Sequence, residues 1–117
     1  MTEEKLKINL VQGEEDIGRI RDNFLEKLDY FNGSLDEYEN MKGKKYKIID
    51  LGKGITNRIY SNSLLFWRAD LRREQNQLVD KLIQENCVGA IRCTLTRRFF
   101  VPEQYYIGAY FIKEKDN

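Results

Sequence analysis

Apolar and polar residues alternate over residues 5–11, with Leu6, Ile8 and Leu10 set against Lys5, Lys7 and Asn9, which is the pattern of a half-buried strand. Gly13 breaks it. From residue 14 to residue 31 the apolar positions Ile17, Ile20, Phe24, Leu28 and Phe31 recur at spacings of three and four, one face of an amphipathic helix. Glu14, Glu15 and Asp16 suit the positive N-terminal end of that helix. Asn32-Gly33 supplies a stop. Ser34-Leu35-Asp36-Glu37 then matches a capping box, and Leu35, Tyr38 and Met41 give a short second helix that Gly43 ends. Residues 14–43 therefore read as a helical hairpin.

The pattern changes after Gly43. Residues 46–51 and 55–61 are β-rich runs joined by Gly52-Lys53-Gly54, which reads as a β-hairpin. Ser63 can cap a long helix over residues 64–86, with a core stripe of Leu64, Trp67, Leu71, Leu78 and Leu82 widened by Val79 and Ile83. Residues 88–96 alternate again, with Ile91, Cys93 and Leu95 facing one way and Arg92 and Thr94 the other. A loop around Pro102 leads into a final strand over residues 104–113. That strand has Tyr106, Gly108, Tyr110 and Ile112 on one face and Tyr105, Ile107, Ala109 and Phe111 on the other. Neither face is polar, whereas a one-sided antiparallel sheet keeps a wet face. Either the helices cover both sides, or another subunit covers one. The expected fold is α+β, a two-layer arrangement in the order β-α-α-β-β-α-β-β, with a mostly antiparallel sheet packed against helices. The chain of 117 residues has room for one core, so residues 1–117 read as a single domain.

Charge divides the chain more sharply than composition does. Residues 1–43 hold six Lys/Arg against eleven Asp/Glu, and residues 44–117 hold fourteen against eight, within a net charge of only +1. Two arrangements follow: the acidic part neutralises the basic part, or a basic face stays open for an anionic partner. No apolar run is long enough to cross a bilayer, and the start MTEEKLKINL lacks the zones of a signal peptide. With two cysteines and no disulfide framework, the expected location is the cytoplasm, with no membrane partner.

The chain has no histidine, which removes Ser-His-Asp and Cys-His nucleophile pairs and His-containing zinc sites. Cys87 and Cys93 have neither C-x-x-C nor zinc-knuckle spacing, and Cys93 has the parity of a buried thiol. Gly52-Lys53-Gly54 lacks the spacing and following helix of a phosphate loop. No catalytic, cofactor-binding or metal residue is singled out, and no cofactor is expected. One cluster has a binding chemistry. Arg97, Arg98, Phe99 and Phe100, with Arg68, Arg72 and Arg73 on the long helix, set guanidinium groups beside aromatic faces, as single-stranded nucleic acid is often held. The same residues also read as a loop anchored to the core with solvated arginines. Tyr105, Tyr106, Ile107, Tyr110, Phe111 and Ile112 of the last strand are the candidate oligomer interface.

Over residues 45–114, the run Tyr46-Lys47-Ile48-Ile49-Asp50-Leu51, the glycine turn, a long charged helix, Cys87-Val88-Gly89-Ala90-Ile91 and Ile107-Gly108-Ala109-Tyr110 resemble the YbjQ-like heavy-metal-binding domain family. The resemblance implies a ββαββ core that assembles into small rings. It carries no metal site here, because histidine and paired cysteines are missing. The functional expectation is a non-enzymatic, small homo-oligomeric binding or regulatory module, with a protein partner as one option. The alternatives are a nucleic-acid-binding protein, a histidine-free nuclease or toxin, and an inhibitor encoded by a virus or mobile element.

Overall fold

The computed structural model describes residues 14–97 and 104–116; the expected strand over residues 5–11, the loop around Pro102, and Arg98, Phe99 and Phe100 lie outside them. The first helix, α1 (Glu14–Lys27), is shorter than its apolar spacing predicts. It ends because Leu28 turns into the core and the next residues form a strand, β1 (Asp29–Tyr30), parallel to Gly89 and Ala90. The expected hairpin is therefore interrupted by a sheet element. The next helix, α2 (Leu35–Lys42), forms as its capping box directs: the Glu37 amide donates to Ser34 Oγ at 3.2 Å, and the Ser34 amide donates to Glu37 Oε1 at 3.3 Å. Tyr38 is its buried anchor, edge-on to Phe31 and Tyr46, while Met41 stands exposed.

The larger departure lies in β2 (Tyr46–Ile48) and β3 (Arg58–Tyr60), which are not a hairpin. Both run antiparallel to the last strand, β5 (Tyr105–Glu114), along the same border. Tyr46 opposes Glu114 and Tyr60 opposes Tyr106, so β2 and β3 are successive halves of one edge strand. The residues between them loop out, with Gly52 at φ +82° and Gly54 at φ +83°, a backbone region that side chains resist. The border is blunted by side chains. The Tyr46 amide donates to Glu39 Oε2 at 2.8 Å, and the Tyr60 amide donates to Gln75 Oε1 at 2.9 Å.

The long helix also divides, into α3 (Asn62–Trp67) and α4 (Ala69–Gln84), with Arg68 in an extended conformation between them. Ser61, not Ser63, occupies the N-cap of α3. The expected stripe persists through Leu64, Leu71, Leu78 and Leu82, but Trp67 leaves it for solvent. The remaining strand, β4 (Gly89–Arg97), pairs with β5 and carries a bulge. Ile91 opposes Tyr110 and Thr94 opposes Gly108, so Arg92 and Cys93 share the single opposing position Ala109. Arg92 has φ +50° there. The extra residue shifts the alternation: Ile91 packs with Tyr38, Tyr46 and Ile112, whereas Cys93 packs with the opposite cluster. Leu95, expected in the core beside Ile91, is exposed.

The architecture is α+β: a five-stranded open sheet in the order β1-β4-β5-β2, with β3 on the far border of β5. All pairs are antiparallel except β1 with β4. Beyond Arg92, whose amide donates to the Gly33 carbonyl, the outer border of β4 meets no strand among the described residues. Leu28, Leu78, Leu82 and Phe111 form the main core between the helices and one sheet face, and the Arg21 guanidinium locks α1 to α4 through two 2.8 Å bonds to Asp80.

Candidate functional site

Of the sequence cluster of arginines and aromatics, Arg68, Arg72, Arg73 and Arg97 lie among the described residues. Arg68 sits at the break between α3 and α4 and holds Asp70 with both guanidinium arms, at 3.0 and 2.7 Å. That pairing draws the Asp70 carboxyl down to about 2 and raises Arg68 above its ordinary range. Arg72 donates to the Leu65 carbonyl at 3.0 Å. Arg73 is exposed on α4, and Arg97 ends β4 opposite Tyr105. Among the described residues, one ion pair joins an acid of the first 43 residues to a base beyond them, Glu39 with Lys45 at 3.9 Å. Among the described residues, the acidic segment therefore neutralises little of the basic half through ion pairs.

The candidate interface on β5 is divided by burial. Phe111 and Ile112 are sealed inside the chain, Phe111 with Leu28, Leu78 and Leu82, and Ile112 with Tyr38 and Ile91. These two are withdrawn from the interface, because the chain's own helices cover both faces of that end of the strand. Tyr105 and Tyr110 are exposed on opposite faces, and Tyr106 and Ile107 are half-buried. Ile107 and Tyr105 line a groove of about 410 Å³ with Leu25, Tyr30 and Ile59, rimmed by Asp22 and Glu26.

Two surfaces were missed by the sequence reading. The first is the corner at the end of α3. Phe66 and Trp67 are 75% and 71% exposed and lean on each other, ring centroids 5.8 Å apart and nearly perpendicular. Helical spacing assigned Trp67 to the core. The break at Arg68 frees it, and no glycine or proline marks that break.

The second is a stretch of sheet left uncovered by the described residues. Arg58, Tyr106, Gly108 and Tyr110 share a face with Thr94, Thr96 and Ile48, by register across four strands. At one end Tyr38 and Phe31 pack with Ile112, and at the other Leu64 and Leu65 pack with Tyr60 and Tyr106. Between these covers Tyr110 and Ile48 are each 49% exposed. A methyl group built on Gly108 would meet only the Asn57 carbonyl, at 4.0 Å, so among the described residues no side chain lies over the floor. The Arg58 guanidinium rests 4.8 Å from the Tyr106 ring centroid. Beside Tyr110 and Arg58, where the edge strand loops out, lies a hollow of about 530 Å³ that Ile48, Asp50, Thr56 and Asn57 also line. The Thr56 hydroxyl is buried without a hydrogen-bond partner.

Neither thiol has the setting of a nucleophile. Burial pushes Cys87 up to about 11 and raises Cys93 as well. Among the described residues no group of three His, Cys, Asp or Glu side chains is placed to hold a metal ion, and no helix is long and apolar enough to cross a membrane. Comparison with family models, curated proteins and solved structures finds no match to this chain.

Proposed function

We propose that the chain is a non-enzymatic binding module that works as a small homo-oligomer, self-associating through the corner formed by Phe66 and Trp67. The observation that carries this reading is the exposure of two adjacent large aromatic rings. Covering them is worth roughly 2–3 kcal/mol per ring. The charge next to them is already matched: Arg68 is paired with Asp70, so closing the corner does not strand it. An edge-to-face ring pair also suits a two-fold contact, in which Phe66 of one copy meets Trp67 of the next.

Trp67 is the only tryptophan of the chain, so it reports directly on the contact. Its emission should move to shorter wavelength as concentration rises, and native mass spectrometry should show one defined stoichiometry. Phe66→Ser with Trp67→Ser should return the protein to monomer while its far-UV circular dichroism spectrum stays that of the wild type, and its melting temperature should no longer rise with concentration. A wild-type protein that stays monomeric, with concentration-independent emission, overturns the reading.

A further inference from the structure

We infer that the uncovered stretch of sheet between α2 and α3 is a binding site for single-stranded nucleic acid, separate from the Phe66–Trp67 corner and independent of self-association. Three features of the face specify that ligand. Tyr110 offers an exposed ring on a floor left flat by Gly108, and unpaired bases stack on such rings whatever their sequence. Arg58, held against Tyr106, places a cation on the neighbouring strand opposite Gly108, beside the exposed ring, where the phosphate of a stacked nucleotide can be paired. The sign of the charge agrees. Among the described strand residues of this face the only carboxylate is Glu114, which lies at the far end and is held by Lys44 at 2.9 Å. Asp50, at the rim of the hollow, is turned to the Gly52 amide at 3.0 Å.

The hollow beside Tyr110 gives the strand somewhere to turn. Asn57 spends its side-chain amide on the Ala109 carbonyl, whereas the Thr56 hydroxyl has no protein partner. Tyr110 lines the same hollow, so a base stacked on its ring has room beside it for the next sugar. Duplex nucleic acid does not fit the same description, because its bases are stacked on one another and its edges do not reach a ring lying on a sheet.

The test is fluorescence anisotropy of the full chain with labelled oligothymidylate and oligouridylate of about 12 nucleotides, and with a duplex of equal length, at low and moderate salt. Both single strands should bind more tightly than the duplex. Tyr110→Ala should weaken them by about tenfold, and Tyr110→Phe should restore the affinity, since stacking needs the ring and not the hydroxyl. Arg58→Ala should weaken binding and lower the salt dependence by about one phosphate contact. Tyr110 is half-exposed, so its variants keep the wild-type melting temperature. No binding of either single strand at low salt, equal binding of duplex, or an unchanged affinity in Tyr110→Ala each overturns the inference. Phe66→Ser with Trp67→Ser should leave oligonucleotide affinity unchanged, so loss of self-association and loss of this site are read separately.

Discussion

Gly89 shows how much one hydrogen atom can decide. It opens β4 opposite Asp29, and a methyl group there would stand 2.9 Å from the Asp29 carbonyl oxygen and 3.3 Å from the Tyr38 hydroxyl. The parallel pairing of β1 with β4 therefore needs glycine for room. Gly89→Ala should destabilise the protein by about 1–3 kcal/mol, the usual cost of overpacking, as read by urea denaturation. An unchanged midpoint would mean that β1 contributes little to the fold. Nothing in the sequence marks Gly89 apart from the other glycines, because the atoms it must clear come from residues 60 and 51 positions earlier. Leu78, Leu82 and Ile83 were legible in advance, since spacing along one helix fixes which side they take.

At the scale of elements, the main surprises come from single residues that change a period. Alternation places Ile91, Cys93 and Leu95 together, and the bulge at Arg92 sends Ile91 to one face and Cys93 to the other. The sequence gives no warning, because this bulge position favours glycine and the chain carries arginine. The strain is testable. Arg92→Gly should raise stability by about 0.5–1 kcal/mol, since the positive φ is free for glycine. A loss of stability would show that the arginine side chain holds the bulge. Gly52-Lys53-Gly54 was equally ambiguous, for glycines make a hairpin turn and an outward loop alike. The choice is made by β5, which is ten residues long and accepts β2 and β3 end to end. Continuous apolar spacing likewise hid the break at Arg68, and with it the exposure of Trp67. Both proposed binding surfaces arise at such interruptions, which is why neither was visible as a motif.

Across the whole molecule, electrostatics sets a direction for stability against pH. Asp29 is held below the usual carboxylate range by the Tyr38 hydroxyl and then by Lys42. Glu85 is lowered by Lys113, and Asp70 falls to about 2 beside Arg68. Groups depressed in the folded state stabilise it above their ordinary values near pH 4, and that contribution disappears as pH falls through the folded values. The melting temperature should therefore drop between about pH 4 and about pH 2, with a shallower drop in Asp29→Asn. A flat profile over that window would show that these pairs contribute nothing net. Added salt should shrink the effect, because the pairs lie at or near the surface.

The amides of Tyr46 and Tyr60, held by Glu39 and Gln75, close two rungs along the outer border of the sheet. A strand from another chain laid against that border would have to displace a carboxylate and a side-chain amide before it could pair there. Gln75, a polar residue in the middle of an apolar helix face, thus stands in the way of ladder extension at Tyr60.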